Sequence, residues 1–382
     1  MNEKKKVIIA GTGGIGEATA ILLANHYRDE VRLLLGNRTF PKALKLVDLM
    51  ADEFSKVDVQ AFHLPEGDIG PETKKILEMS HVLLDCLPGD QAPRMARMAM
   101  EHGLHYANLT EYVDETNEII EMAAGNDSAF ILQTGLAPGF INVLAHALFN
   151  QFCNRYQVGR VQTISMKVGA LTKHAVSPHF YGFTWSPVGV ATEYLKGTEC
   201  LRNYEKTRLQ SLSERQSVVI GGIAYEEDLT SGGSADLPDF FLGKVRSLEY
   251  KTLRYPGHYK WIQSQLSNLE PRLNPITQLQ TRMEKCIPRV EDDIVIIYCL
   301  VEGPDKQGIQ RLLDKNYTIK PMVIGNLSLR AIQTSTAAPL AECARLLLTD
   351  QFTGVVQQSQ IDPTSFMDGP FVSKVYNHDS VI

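Results

Sequence analysis

The stretch Val7-Ile8-Ile9-Ala10-Gly11-Thr12-Gly13-Gly14-Ile15-Gly16 limits the fold of this chain more than any other. Four apolar residues run into glycines spaced G-x-G-x-x-G, and Glu17 to His26 continues with helical composition. A weak motif becomes informative when a strand precedes it and a helix follows. Gly11 permits the sharp turn, Gly13 lets backbone N–H groups approach a ligand with no Cβ in the way, and Gly16 allows the helix to pack close to the strand. The unpaired N–H groups and the positive end of the helix attract phosphate. Gly11, Thr12, Gly13, Gly14, Ile15 and Gly16 are therefore the expected cradle of a dinucleotide diphosphate.

The residues beyond repeat the theme. Apolar runs at Val31 to Gly36, Val57 to Leu64, His81 to Leu87, Tyr106 to Leu109 and Phe130 to Leu132 alternate with helical stretches at Pro41 to Ala51, Pro93 to His102 and Val113 to Ala124. Parallel strands need crossovers of about a dozen residues, so this alternation predicts an α/β fold with a doubly wound parallel sheet over residues 1–140. From about Ile141 the texture changes. Runs such as Val161 to Val168, Ser217 to Ile220 and Ile294 to Val301 are β-branched and joined by long polar connections, which predicts a second, sheet-based domain over 141–325. Residues 326–382, with a helix near Thr336 to Leu348, are expected to return toward the first domain.

Composition excludes several classes. The 382 residues are 44% apolar and 21% charged, enough for two cores, and a net charge of −6 offers nothing to nucleic acid or an anionic membrane. Six scattered cysteines form no CxxC or CxxH pair, so no metal site or disulfide framework is expected and a reducing cytoplasm fits. The basic start leads into too few apolar residues for a signal peptide, whose apolar region runs to about 7–15 residues. No uncharged apolar run approaches the roughly 20 residues of a membrane span.

The end of the second strand discriminates between coenzymes. NAD(H) sites usually carry a carboxylate there to bind the ribose 2′-OH. Here Asn37 stands in that place, followed by Arg38, Thr39 and, one turn into the next helix, Lys42. Arg38 can clamp a 2′-phosphate through a charge-assisted fork and Lys42 adds a second cation, so NADP(H) is preferred over NAD(H). The string Asn37 to Ala43 resembles the 2′-phosphate motif of shikimate dehydrogenases, although those enzymes place a substrate domain ahead of the nucleotide fold.

Ligands of doubly wound sheets lie beyond the carboxyl ends of the strands. Leu87 and Pro88, in Asp85-Cys86-Leu87-Pro88-Gly89, should therefore flank the nicotinamide, with Cys86 as packing. Tyr112 and Glu111, in Asn108-Leu109-Thr110-Glu111-Tyr112, are candidate substrate contacts, Glu111 for an ammonium group.

Three later stretches resemble the saccharopine dehydrogenase and lysine 6-dehydrogenase family: Thr134 to Asn142 (TGLAPGFIN), Phe183 to Pro187 (FTWSP) and Thr252 to His258 (TLRYPGH). The resemblance implies an N-terminal Rossmann domain with an inserted mixed α/β substrate and dimerisation domain. It implies hydride transfer between NADP(H) and an amine or imine carbon of a lysine-derived amino acid, in a homodimer. Arg254 can take a carboxylate bidentately, Tyr255 to Gly257 supply an aromatic face and a turn, and Trp185 is a candidate wall of the substrate cleft. Imine hydrolysis needs a proton shuttle near neutrality, for which His258 comes first, with Lys173 and His174 behind it. Direct oxidation of lysine, carboxyspermidine-type coupling of a diamine with an aldehyde, and a non-catalytic NADP-binding regulator remain alternatives.

Overall fold

The computed structural model describes residues 4–54, 56–349 and 351–377, which form two compact units. The described part of the first comprises residues 4–140, 322–329 and 333–377, and that of the second residues 141–321 and 330–332.

In the first unit β1 (Lys5–Ala10), α1 (Gly14–Tyr27), β2 (Val31–Asn37), α2 (Phe40–Glu53), β3 (Asp58–His63), α3 (Pro71–Glu78), β4 (Val82–Asp85), α4 (Ala92–Glu101), β5 (His105–Asn108), α5 (Val113–Met122) and β6 (Ala129–Ile131) alternate. The strands lie in the order β6-β5-β4-β1-β2-β3, all parallel, so the winding reverses between β1 and β4. A parallel sheet is covered on both faces, which is why β1 carries Val7, Ile8, Ile9 and Ala10 without a polar interruption, all fully buried. Burying each large aliphatic side chain contributes about 1.5–3 kcal/mol. α1 is buried almost all round, and Ala18, Ala20 and Ala24 let it sit close against the sheet.

The helix α6 (Phe140–Tyr156) leads into the second unit, where β7 (Val161–Thr172), α7 (Pro187–Leu195), β8 (Thr198–Arg202), β9 (Glu205–Leu209), β10 (Gln216–Ile220), β11 (Ile223–Leu229), α8 (Leu237–Phe240), β12 (Val245–Arg254), α9 (His258–Leu266), α10 (Pro275–Cys286), β13 (Asp293–Pro304) and β14 (Gln310–Ile319) follow. The sheet runs β10-β11-β12-β7-β13-β14, with β8 and β9 attached beside β12. Only β7 and β12 are parallel. An apolar cluster including Tyr181, Val190, Tyr194, Tyr259, Ile262, Leu279 and Met283 joins α7, α9 and α10. A chain of ion pairs runs through this unit: the buried Lys167 pairs with Glu227, the buried Lys251 lies between Glu227 and Glu249, and the partly exposed Arg202 bridges Glu249 and Glu214.

The chain then adds the hairpin of β15 (Met322–Ile324) and β16 (Leu327–Leu329), α11 (Ala331–Leu347), β17 (Gly354–Val356), α12 (Pro363–Met367) and α13 (Pro370–Tyr376). The return to the first unit starts at Met322, four residues before the expected 326, because the hairpin packs with α1 and Asn326 binds Glu53 through its backbone N–H. β17 pairs with β6 as a seventh parallel strand, and Tyr376 of α13 stacks on Phe140 at 3.5 Å between ring centres. Among the described residues no helix is long and apolar enough to cross a membrane, and no three His, Cys, Asp or Glu side chains are grouped to hold a metal.

Candidate functional site

The turn from β1 to α1 lies at the point where the sheet reverses. Gly11 has φ of +94°, which an L side chain rarely adopts, and its N–H donates to the Gly36 carbonyl at 2.8 Å. A Cβ on Gly16 would stand 1.9 Å from the Gly11 carbonyl oxygen, so only glycine lets α1 begin this close to the strand. Gly13 is different. A Cβ there would meet nothing within 4 Å, so its glycine has no packing role and instead leaves open space at the start of α1. The amide of Gln333 donates to the Gly14 carbonyl at 2.9 Å, bracing the loop from a residue remote in sequence.

At the end of β2, the Asn37 amide donates to the Thr12 hydroxyl at 2.7 Å and its carbonyl accepts from the Thr39 N–H at 2.8 Å. Asn37 thus ties the glycine loop to the entry of α2. Arg38 is exposed and paired with Glu66; Lys42, in the first turn of α2, is also exposed. The structure therefore brings all the expected cradle residues together. The positive-φ turn, the unfilled space at Gly13, the helix N-terminus and the neutral Asn37 where a ribose-binding carboxylate would stand, with Arg38 beside it, fit a dinucleotide.

Leu87 and Pro88 follow β4 at the same edge of the sheet. A Cβ on Gly89 would press on the Tyr112 ring at 2.9 Å and on the Thr110 hydroxyl at 2.5 Å, so that glycine seats Tyr112 directly after Leu87-Pro88. Glu111 is half-buried, and loss of solvent, with Glu115 nearby, raises its carboxyl above the usual range. The Cys86 thiol is likewise raised by burial and then by the Asp85 charge, as suits packing. Sequence reasoning assigned Asp85 no role. It is buried, accepts from the Leu87 N–H at 3.0 Å and the Tyr106 hydroxyl at 2.8 Å, and burial pushes its pKa up to about 6. The only sequence signal was a carboxylate ending an apolar strand.

In the second unit Arg254 and His258 are both held by partners within the protein. Arg254 is 1% exposed and already engaged: its Nε donates to the Tyr194 hydroxyl at 2.7 Å, one terminal nitrogen to the Leu253 carbonyl at 3.0 Å and the other to Glu193 at 2.6 Å. Its plane also packs over the Tyr181 and Tyr194 rings. Releasing it for a substrate carboxylate would take the guanidinium away from the buried Glu193 carboxylate, which is costly in a site with so little solvent. His258 is 0% exposed; its Nδ1 lies 2.7 Å from the His179 carbonyl and its Nε2 3.0 Å from the Tyr194 hydroxyl. These partners assign Nδ1–H as donor and Nε2 as acceptor. Burial first, and the Arg254 charge next, lower its pKa to about 3, so it stays neutral where a shuttle must titrate. Gly257, at φ +102°, has Phe180 where a Cβ would go and donates its N–H to Glu226, so it too serves the backbone. Trp185 is half-buried against the apolar helical cluster. Lys173 and His174 are exposed and share Asp292, at 2.9 and 3.1 Å. The structure thus gathers Arg254, Gly257 and His258 into one local region, in which Arg254 and His258 are buried and Gly257 is half-buried.

A parallel sheet wound 3-2-1-4-5-6, with a glycine-built turn at the reversal, defines a Rossmann fold of the dinucleotide-binding class. Residues 7–129 match the saccharopine dehydrogenase NADP binding domain and residues 135–376 the saccharopine dehydrogenase C-terminal domain. The chain belongs to the saccharopine dehydrogenase family. Among curated proteins it is 20% identical over 307 residues to the mitochondrial alpha-aminoadipic semialdehyde synthase of Rattus norvegicus, covering 73% of this chain and 31% of that protein. It therefore spans about a third of that relative's length. Among solved structures, the saccharopine dehydrogenase (L-Glu forming) of Saccharomyces cerevisiae matches with a TM-score of 0.75 at 14% identity, covering 97% of this chain and 98% of the other. The homospermidine synthase of Legionella pneumophila, in complex with NAD, matches at 0.66 and 14% identity, over 98% and 91% of the chains.

Proposed function

We propose that the chain is an NADP(H)-preferring oxidoreductase of CH–NH donors that acts on a lysine-derived amino acid, in the manner of a saccharopine dehydrogenase. The observation that carries this reading is the continuous match to both halves of that family, 7–129 and 135–376. Bound in the cradle, the nicotinamide coenzyme supplies or accepts a hydride at a carbon bonded to nitrogen. The chain's own contribution is placement. Gly11 to Gly16 receive the diphosphate on backbone N–H groups, Asn37 holds the loop to the adenosine side, and Arg38 with Lys42 meets the 2′-phosphate. Leu87 and Pro88 form the nicotinamide side, with Tyr112 and Glu111 as substrate contacts, Glu111 for an ammonium group. The preference for NADP(H) rests on the absence of a carboxylate at Asn37 and the cation at Arg38.

A homodimer, the expectation drawn from the family, belongs to the same reading. So does a cytoplasmic setting, supported by six free thiols. With Arg254 and His258 engaged internally, substrate recognition is assigned to the strand ends of the first unit. The fold likeness to a homospermidine synthase favours a second reading, reductive coupling of a diamine with an aldehyde.

A spectrophotometric screen with NADP+ and NAD+ against saccharopine, lysine and diamines tests the function. Turnover of saccharopine with NADP+ is expected. Turnover of diamines alone would replace the first reading by the second, and binding of NADP(H) without turnover of any amine would leave a regulator.

A further inference from the structure

The Arg38–Glu66 pair is left unexplained by the coenzyme-binding roles assigned above. Arg38 follows β2 and Glu66 follows β3, both at the carboxyl edge of the sheet where the adenosine end belongs. β2 and β3 run in register with Asn37 opposite His63, and the Leu64 N–H donates to the Asn37 carbonyl at 3.1 Å. Arg94 then holds the Pro65 carbonyl at 3.2 Å. The chain is tied twice in the two residues before Glu66, which sets that carboxylate beside the Arg38 guanidinium. The two side chains remain 68% and 62% exposed, so an incoming anion can reach them.

We propose that Glu66 is a specificity-determining residue: a built-in anion that occupies Arg38 until the coenzyme's 2′-phosphate replaces it. The inference rests on the reading of Arg38 as the 2′-phosphate receptor. Glu66 sits on Nη1, one arm of the outer guanidinium edge that a phosphate would grip bidentately, so the two anions compete for that edge, and a phosphate monoester near neutrality carries more charge than a carboxylate. An exposed ion pair is weak, which makes the exchange easily reversible. A coenzyme with a bare 2′-OH brings no anion to displace Glu66, so Arg38 stays on the carboxylate and adds nothing to its binding. Glu66 therefore lowers affinity for the phosphorylated coenzyme slightly, leaves the other unchanged, and keeps Arg38 oriented in the absence of either.

The test uses adenosine 2′,5′-bisphosphate and 5′-AMP, which differ only in the 2′-phosphate and undergo no redox chemistry. Dissociation constants are measured by calorimetry at low salt for the full chain, Glu66→Gln, Arg38→Gln and the double variant. Glu66→Gln is expected to bind the bisphosphate about two- to fivefold more tightly, the range of an exposed pair, with 5′-AMP unchanged. The gain should vanish in the Arg38→Gln background and shrink at high salt. An equal gain without Arg38 means simple repulsion by Glu66, and no gain at all means no competition; either overturns the proposal while the 2′-phosphate reading stands. If the wild type does not distinguish the two nucleotides and Arg38→Gln changes nothing, the 2′-phosphate reading itself falls.

Discussion

Asp85 shows how one side chain ties the sheet to its loop. Its two oxygens hold the Leu87 N–H and the Tyr106 hydroxyl, and burial raises its pKa from 3.8 to about 6. Between those values the folded chain keeps a proton that the unfolded chain has released, so stability falls as pH rises through about 4 to 6 and is level above. The penalty in full is on the order of 3 kcal/mol. Asp85→Asn has no such slope and keeps both contacts, since an amide can donate to the Tyr106 hydroxyl while that hydroxyl turns to the Ala92 carbonyl, now 3.2 Å away. Denaturant unfolding of the two proteins at pH 4 and pH 7 should show the variant gaining about 2–3 kcal/mol on the wild type across that interval; parallel profiles would mean the carboxyl is ionised in the fold. Nothing local in Asp85-Cys86-Leu87-Pro88-Gly89 revealed this, because Tyr106 comes from the next strand. His258 misled for the same reason: an imidazole beside Pro-Gly reads as exposed until Tyr194 and the His179 carbonyl close around it.

In the turn between β1 and α1, packing and binding fall to different glycines. Gly16→Ala drives a methyl into the Gly11 carbonyl at 1.9 Å, a backbone atom that cannot swing aside, whereas Gly13→Ala meets no protein atom. The first is expected to lose about 2 kcal/mol or more of stability, in the range of overpacked sites. The second should lose no more than about 1 kcal/mol, since Gly13 has an ordinary extended conformation, yet weaken NADP(H) binding at least about tenfold by filling the diphosphate's space. Melting temperatures and nucleotide calorimetry on both variants separate the two roles; a Gly13→Ala protein that binds like wild type would remove the diphosphate from this loop. Elements such as β1, β2 and β4 were legible because strands buried on both faces are written in apolar residues. β14 was not legible: it lies at the sheet's edge, mostly exposed, in the polar sequence Gln310 to Ile319. β12 hid its end for the opposite reason, since Lys251 and Arg254 are buried in ion pairs that composition reads as surface.

At the scale of the molecule, the first unit is assembled from distant parts of the chain. β17 closes its sheet beside β6, Glu342 of α11 receives the Phe371 N–H of α13 at 3.1 Å, and Gln333 braces Gly14. The alternation of residues 1–140 announced the sheet but not its seventh strand, because a three-residue strand carries no periodicity. All the cradle residues belong to this unit, so coenzyme binding is linked to its folding. A ligand present at a hundred times its dissociation constant adds about 2.7 kcal/mol to the state that binds it. For a unit of this size each kcal/mol raises the midpoint by about 2–4 °C, so NADP+ at that level should raise the melting transition by about 5–10 °C. NAD+ at the same concentration should move it less, since it lacks the group that Arg38 and Lys42 are assigned, and Gly13→Ala, with affinity about tenfold weaker, should cut the NADP+ shift to about half or less. Calorimetric scans with the two coenzymes decide the matter: equal shifts would refute the preference for NADP(H), and shifts that Gly13→Ala leaves undiminished would locate the coenzyme away from the glycine turn.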